Sequence, residues 1–295
     1  MFRRIAASMQ QASATNLAAV LTDYHVHLRP DDDPDWPAER AFSAENAERY
    51  RTVAEERGVE ELGVAEHIYR FQQAMTVWQH PFWRERATDD LDSYAEFVGN
   101  GSDLKLGIEA DFVPGREDNL ANLLDRYSWD YVVGSIHFLR DEALDVEGAF
   151  DIWRSNDPDK VWRRYFETLG EAARSGMFDI LAHPDLVKVW GSEGPQPAGD
   201  VRRYYELALD GISESDIAIE VSTAGLRKPV GEIYPSRQFL EMCLEVGRPV
   251  ALSSDAHTSD QLAYRYDDAL EYLESVGVSE LAVFEGRKRR MEPMG

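Results

Sequence analysis

Two histidines separated by one residue offer the first chemistry in this chain. His25 and His27 lie in the segment Asp23-Tyr24-His25-Val26-His27, and residues 21–26 have the β-branched and aromatic composition of a strand. Side chains two positions apart on a strand point to the same face, so both imidazoles could bind one metal ion. By itself the pair does not distinguish a metal site from two half-buried histidines.

The other candidate ligands share a position at the end of a predicted strand or shortly after it. They are His67, Glu109, His137, His183, Asp255 and His257. The seventh histidine, His80, lies in a predicted loop and is not expected to bind metal. If the strands form a parallel barrel, their carboxyl ends meet at one rim, where six imidazoles and at least two carboxylates converge. Clustered imidazoles repel one another when protonated, so we predict that metal holds them neutral.

This ligand set exceeds the coordination shell of one ion, so the sequence predicts two or three divalent ions. Imidazole and carboxylate ligands without thiolate suit Zn, Mn or Fe. Glu109, central among the strands, is the predicted bridging carboxylate, and Asp255 is a second candidate. Catalytic roles are predicted for Asp255 and His257.

Two further carboxylates are predicted to support the ligands. Asp23 lies one step before His25 on the same strand face, and we predict that it orients that imidazole. Glu66 directly precedes His67 and is predicted to lie behind the ligands.

Seven predicted strands, each followed by a helical pattern, must position these residues. The predicted strands are residues 21–27, 61–66, 104–109, 131–136, 179–182, 216–221 and 249–254. Helices are predicted after the residues Ser43, Asp157, Asp200, Ser236 and Ser259. Alternating strands and helices predict an α/β fold with a parallel sheet, and seven units in roughly 250 residues fit a closed barrel. An open doubly wound sheet is the alternative, but no glycine-rich phosphate loop follows the first strand.

The composition limits the classes of partner. The chain has 295 residues, 43% hydrophobic content and a net charge of −24, which disfavours nucleic acid and anionic membranes. No apolar run approaches the roughly 18–20 residues of a membrane span. The single cysteine, Cys243, excludes an internal disulfide, and its place on an apolar helix face predicts a core position. A cytoplasmic location and a small phosphorylated substrate, bound through metal ions, are expected.

Residues 1–20 differ from the rest of the chain. They include Arg3 and Arg4, no acidic residue and no compact apolar core of a secretory signal. We predict a poorly ordered extension there and a single domain over residues 21–295. A faint similarity to a transit peptide is the alternative.

Six spaced motifs resemble the PHP (polymerase and histidinol phosphatase) superfamily, and within it the chain looks most similar to the PHP-type histidinol-phosphate phosphatases. The motifs are Asp-Tyr-His-Val-His at 23–27, Ala-Glu-His at 65–67, Gly-Ile-Glu-Ala-Asp at 107–111, Gly-Ser-Ile-His at 134–137, Leu-Ala-His-Pro-Asp at 181–185 and Ser-Asp-Ala-His at 254–257. The segments 183–188 and 220–227 carry the similarity to the phosphatases. The resemblance implies a distorted (β/α)7 barrel with a trinuclear metal centre.

The resemblance also implies an activity and a set of site residues. The activity is hydrolysis of L-histidinol phosphate in histidine biosynthesis, by a hydroxide held between metal ions. The implied metal ligands are His25, His27, His67, Glu109, His137, His183, Asp255 and His257. Arg227 and Lys188 match positions that these phosphatases use to bind substrate. Many members place another histidine shortly after the HxH pair, where this chain has Asp31-Asp32-Asp33, so either a carboxylate substitutes or the third metal site is weaker or absent.

Two alternative functions and the role of one loop stay open at this point. The chain could be a PHP phosphoesterase that acts on another small phosphorylated metabolite or nucleotide, or a metal-binding protein without catalytic activity. The aromatic loop at residues 71–83 is predicted to close over the rim as a lid, or else to pack on the end of the barrel. The sequence does not predict an oligomeric state.

Overall fold

The computed structural model describes residues 20–30 and 36–295. Its strands are β1 (Thr22–Asp23), β2 (Glu61–Val64), β3 (Lys105–Leu106), β4 (Glu109–Asp111), β5 (Val133–Ser135), β6 (Phe138–Leu139), β7 (Glu142–Ala143), β8 (Ile180–Leu181), β9 (Ala218–Ser222), β10 (Val250–Ser253), β11 (Glu280–Glu285) and β12 (Lys288–Pro293). Its helices are α1 (Ala38–Ala41), α2 (Ala44–Glu56), α3 (Pro81–Arg86), α4 (Leu91–Gly101), α5 (Glu117–Leu124), α6 (Pro158–Arg174), α7 (Arg202–Ser213), α8 (Arg237–Glu245) and α9 (Tyr266–Ser275). Asp31, Asp32 and Asp33 and the predicted extension, apart from Val20, lie outside the described residues.

Parallel pairing places the strands around a ring. β1 pairs with β2 and β2 with β3; β4 pairs with β5, β5 with β8, β8 with β9, and β9 with β10. β3 and β4 are two parts of one predicted strand, and a parallel bridge between His67 and Glu109 extends its pairing with β2. A second parallel bridge, between Val26 and Ala256, joins the segment after β10 to the segment after β1. Seven strand segments thus follow one another in sequence order, and a single bridge links the last segment to the first, which fits the predicted (β/α)7 barrel.

Aromatic side chains fill the barrel interior below the rim. The ring of Tyr131 occupies space that only glycine leaves open on the neighbouring strands, because a Cβ on Gly63 or Gly107 would lie within 2.4 Å of it. Tyr24 packs on Tyr131 at 4.9 Å between ring centroids, and Phe284 of the antiparallel β11–β12 hairpin packs on Tyr24 at 5.9 Å. The hairpin therefore covers the barrel on the side where this aromatic layer lies.

The helix predictions hold with one exception. Ser43 caps α2 by accepting the Asn46 N–H at 3.2 Å, and Cys243 is fully buried on α8, as predicted. The helix predicted directly after Ser259 is wrong, since only a short 3₁₀ turn forms there and α9 begins at Tyr266. The Asp23 carboxylate accepts the N–H of Ala263, a residue in the left-handed region, and so holds this segment out of helical geometry. Within the described part of the chain, no helix has the length and apolar character needed to cross a membrane.

Candidate metal centre and substrate cavity

Glu109, the first residue of β4, lies at the centre of the histidine cluster. Its Oε2 atom contacts His67 Nδ1 and lies 3.3 Å from His25 Nε2 and 3.8 Å from His27 Nε2. Its Oε1 atom lies 3.4 Å from His137 Nε2 and 3.3 Å from His183 Nε2. The two oxygens of one buried carboxylate thus face five imidazoles from four other strand ends, which is the arrangement a bridging ligand needs.

Asp255 forms the second acidic position of the cluster. Its Oδ1 atom lies 3.7 Å from His25 Nε2, 3.4 Å from His27 Nε2 and 3.6 Å from His257 Nδ1. His257 in turn approaches His67, with 3.4 Å between the two Nε2 atoms. The six histidines predicted from strand ends therefore meet at one rim, together with Glu109 and Asp255.

The ligand atoms form four groups of three, and within each group they lie within 4.8 Å of one another. The groups are His27, His67 and His257; His25, His27 and Asp255; His25, Glu109 and His183; and His67, Glu109 and His137. Because several residues belong to two groups, the cluster suits more than one ion. The buried atoms His25 Nε2, His27 Nε2 and Glu109 Oε2 make no hydrogen bond within the described residues. Buried polar atoms need a partner, so this donor set fits divalent metal.

Two carboxylates that sequence reasoning gave no role support the histidines from behind. Glu220 Oε1 accepts a hydrogen bond from His25 Nδ1 at 2.8 Å and another from Ser253 Oγ at 2.6 Å. Asp111 Oδ1 lies 2.9 Å from His137 Nδ1. Asp111 ends β4 and shares a strand face with Glu109 two residues away, so the strand-end rule could have identified it. Glu220 lies in the middle of β9, where that rule gives no signal.

Of the two predicted supporting carboxylates, Glu66 lies behind a histidine of the cluster and Asp23 does not. Glu66 lies behind His27, with 3.7 Å between Oε2 and Nδ1, while its Oε1 accepts the N–H groups of Leu28 and Arg29 at 2.6 and 3.1 Å. The prediction that Asp23 orients His25 is wrong, because Glu220 occupies that position. Asp23 instead accepts hydrogen bonds from the N–H and the hydroxyl of Ser254, at 2.9 and 2.5 Å. It anchors the loop that carries Asp255.

The charges of the cluster are strongly coupled. Burial by itself raises the pKa of Glu109, but His67, His25 and His137 together bring that pKa well below its usual value. Burial lowers the pKa of His137, yet Glu109 and Asp111 raise it to about 10. These shifts favour the ionised carboxylate of Glu109 and the protonated imidazole of His137 when no metal is bound. Metal binding would displace these protons.

A cavity of about 240 Å³ lies above the cluster. Five members of the cluster line it, namely His67, His137, His183, Asp255 and His257. The other lining residues are Tyr69, Phe82, Arg86, Phe138, Asp145, Val146, Leu186, Lys228 and Tyr234. The cavity thus combines a metal-binding floor, aromatic walls and two cations, a composition suited to a small ester with an organic group.

The two predicted substrate cations, Lys188 and Arg227, lie outside the cavity lining. Lys188 is buried, and its Nζ lies 3.1 Å from Asp185 Oδ2 and 3.0 Å from Glu232 Oε2. Arg227 donates from Nη2 to the carbonyl oxygens of Ser254 and Asp255, each at 2.8 Å. Neither side chain is among those that line the cavity, so both substrate roles stay predictions.

Lys228 and Arg86 are the cations that do line the cavity. Lys228 directly follows Arg227 and is exposed, with no carboxylate within 4 Å of its ammonium among the described residues. Arg86 ends α3 and lies over the ring of Phe82, at 3.5 Å from its centroid. Sequence reasoning missed both, and no strand-end or spacing signal marks them.

The aromatic loop at residues 71–83 packs against the barrel rather than standing free of it. Phe71, Trp78 and Trp83 are buried, and Trp78 stacks on His80 at 4.2 Å between centroids. Phe82 contributes to the cavity wall. His80 belongs to none of the four candidate ligand groups among the described residues.

Comparisons with known proteins place these features in context. A model of the PHP domain family matches residues 41–224. A Deinococcus radiodurans protein named "Probable histidinol-phosphatase" is 33% identical over 252 residues, which cover 83% of this chain and 91% of that protein. The histidinol-phosphatase of Bacillus subtilis is 27% identical over 183 residues, covering 57% of this chain and 68% of the relative. A histidinol phosphate phosphatase from Lactococcus lactis, solved with Zn, L-histidinol and phosphate, has a TM-score of 0.65 and 18% identity and covers 93% of this chain and all of its own.

Proposed function

This chain belongs to the PHP domain family, and we propose that it is a metal-dependent phosphomonoesterase that hydrolyses L-histidinol phosphate to L-histidinol and phosphate. One observation carries the proposal: six imidazoles and two carboxylates form one cluster, and five of these residues line a small cavity. The relatives named histidinol-phosphatase supply the choice of substrate. The reaction would serve histidine biosynthesis.

We assign the metal centre to the eight residues of the cluster. They are His25, His27, His67, Glu109, His137, His183, Asp255 and His257. Two or three divalent ions such as Zn, Mn or Fe suit this set. Ions bound there would polarise the phosphate and activate a water molecule.

The protein's own residues would orient this chemistry. Glu220 holds His25 with Nδ1 as the donor, which leaves Nε2 bare toward Glu109. Asp255 and His257 line the cavity from one short loop, and Arg227 holds that loop through two carbonyl oxygens. This position in the cavity wall, within the metal cluster, supports their proposed catalytic role. The aromatic walls would exclude bulk water from the reacting group.

The cations of the cavity would help a phosphate to enter an acidic protein. The net charge of −24 repels anions at long range. Lys228 and Arg86 provide local positive charge next to the metal floor. The same acidity supports a small substrate rather than nucleic acid. We place the enzyme in the cytoplasm and propose one domain over residues 21–295.

A substrate profile tests the function. The full chain is loaded with Zn, Mn or Fe in turn and assayed with L-histidinol phosphate, p-nitrophenyl phosphate, a sugar phosphate, a nucleoside monophosphate and phosphotyrosine. We expect the highest kcat/KM for L-histidinol phosphate. A preference for another ester would support a different PHP phosphoesterase. Metal-loaded protein that cleaves none of them would support a non-catalytic metal-binding role.

A further inference from the structure

Asp145 has an unsatisfied acceptor that the metal cluster does not explain. The residue follows β7, lines the cavity and is half-buried. Its Oδ1 atom is buried and accepts no hydrogen bond from any described residue. No lysine, arginine or histidine nitrogen of the described residues lies within 4 Å of its carboxylate. Buried polar atoms without a partner are rare, and those that persist are frequent at functional sites.

The surroundings of Asp145 identify the kind of partner it lacks. Among the described residues, Asp145 and Asp255 are the only carboxylates that line the cavity. Asp255 already has three histidine nitrogens within 4 Å of its Oδ1 atom. Tyr234 lines the same cavity, and its buried hydroxyl also makes no hydrogen bond within the described residues. The cavity therefore offers an unpaired acceptor and an unpaired donor above a floor suited to phosphate.

We infer that Asp145 binds a positively charged nitrogen of the substrate, an ammonium or an imidazolium, and so selects cationic phosphate monoesters. The inference rests on the proposed function, because L-histidinol phosphate carries both groups. A carboxylate in a partly buried site forms a strong hydrogen bond with a charged N–H donor. Lys228 and Arg86 of the same cavity would repel such a group and suit the phosphate instead.

The test is the variant Asp145→Asn in the metal-loaded full chain, assayed with two substrates. L-Histidinol phosphate carries the cation and p-nitrophenyl phosphate does not. We expect kcat/KM for L-histidinol phosphate to fall about tenfold to a hundredfold, as for the loss of a charge-assisted hydrogen bond. The kcat/KM for p-nitrophenyl phosphate should change much less, so the ratio of the two kcat/KM values should fall about tenfold or more. Metal content equal to that of the wild type, by elemental analysis, shows that the variant folds and keeps its metal site. Asp141→Asn, an exposed aspartate on the same segment, is the matched control and should alter neither value.

A binding measurement gives a second readout. L-Histidinol should inhibit hydrolysis of p-nitrophenyl phosphate, and its inhibition constant should rise about tenfold or more in Asp145→Asn. Inhibition by inorganic phosphate should not change. Equal losses on both substrates, or an unchanged preference for L-histidinol phosphate in the variant, would overturn the role of Asp145 and leave the proposed function standing. A wild-type enzyme that lacks the preference would overturn both.

Discussion

His25 Nδ1 lies 2.8 Å from Glu220 Oε1, although β10 separates their two strands in the ring. The same carboxylate accepts the Ser253 hydroxyl at 2.6 Å and the backbone N–H of His183 at 2.5 Å. His183 has a φ of +24°, a strained value for a residue with a side chain. One buried glutamate therefore fixes the ring of one proposed metal ligand and the backbone of another.

Glu220→Gln should weaken metal binding. An amide accepts less strongly than a carboxylate and can present an N–H to His25, so the tautomer with a bare Nε2 is no longer enforced. We expect metal affinity to fall about 10- to 100-fold, measured by competition with a chelating dye. Glu241→Gln, on an exposed face of α8, is the control and should bind metal like the wild type. Equal affinities for all three proteins would remove Glu220 from the site.

His137→Ala should lose metal and activity together. His137 Nε2 faces Glu109, and the substitution removes one proposed ligand. We expect substoichiometric metal by elemental analysis and a phosphatase rate lower by about 100-fold or more. His80→Ala is the matched control, because His80 is also buried yet packs on Trp78 and Phe150 outside the cluster. The metal content of His80→Ala should equal that of the wild type, and a loss in both variants would speak against the rim assignment.

Substitution of Lys228 should change KM, whereas substitution of Lys188 should change the stability of the fold. Lys228→Met removes an exposed cation of the cavity, so we expect KM to rise roughly tenfold and to depend less on salt, with stability unchanged. Lys188→Met leaves the fully buried Asp185 without its cation, so we expect the free energy of unfolding to fall by about 3 kcal/mol. Urea unfolding and steady-state kinetics check the two expectations. A raised KM in Lys188→Met with no loss of stability would support Lys188 as the substrate cation.

His80 should make the stability of the protein depend on pH. Burial lowers the pKa of His80, against a smaller opposing effect of Asp141. Its Nδ1 accepts the Phe82 N–H at 3.3 Å, and protonation of that nitrogen would break the contact. The folded state thus favours neutral His80, so this stabilisation is present above the unfolded pKa of about 6.5 and is lost as the pH falls through the lower folded value.

The comparison of wild type with His80→Ala, both free of metal, isolates this effect. Urea unfolding is measured at pH 8 and at pH 5. The wild type should lose more stability than the variant on acidification, because the other titrating groups are common to both. Parallel losses would mean that His80 titrates alike in the folded and unfolded chains.

Strand periodicity explains why most of the site could be predicted. Alternation places His25 and His27 on one face, and the carboxyl ends of parallel strands meet at one rim, so the type of residue at each strand end already indicates the metal cluster. Glu109 was expected at the centre and lies there. The family motifs add the substrate class, since they occur in the chain itself.

Strand alternation does not predict the directions of side chains in loops, because these directions depend on packing. Lys188 and Lys228 both lie in loops, yet the turn Leu186–Lys188 directs the first toward Asp185, whereas the second lines the cavity. Similarly, the predicted start of the last helix is wrong because Asp23, 240 residues away, accepts the N–H of Ala263. No local pattern contains such a contact.

The sequence by itself determined the barrel, the ring of histidines and the family, because strand alternation and motif spacing are local properties of the chain. Only the tertiary structure decided which carboxylate supports His25 and which cations reach the cavity. It also showed that no donor among residues 20–30 and 36–295 reaches a buried oxygen of Asp145. These relationships join residues from strands and loops far apart in sequence. Their pairing depends on the closure of the ring and on the packing of each loop above it.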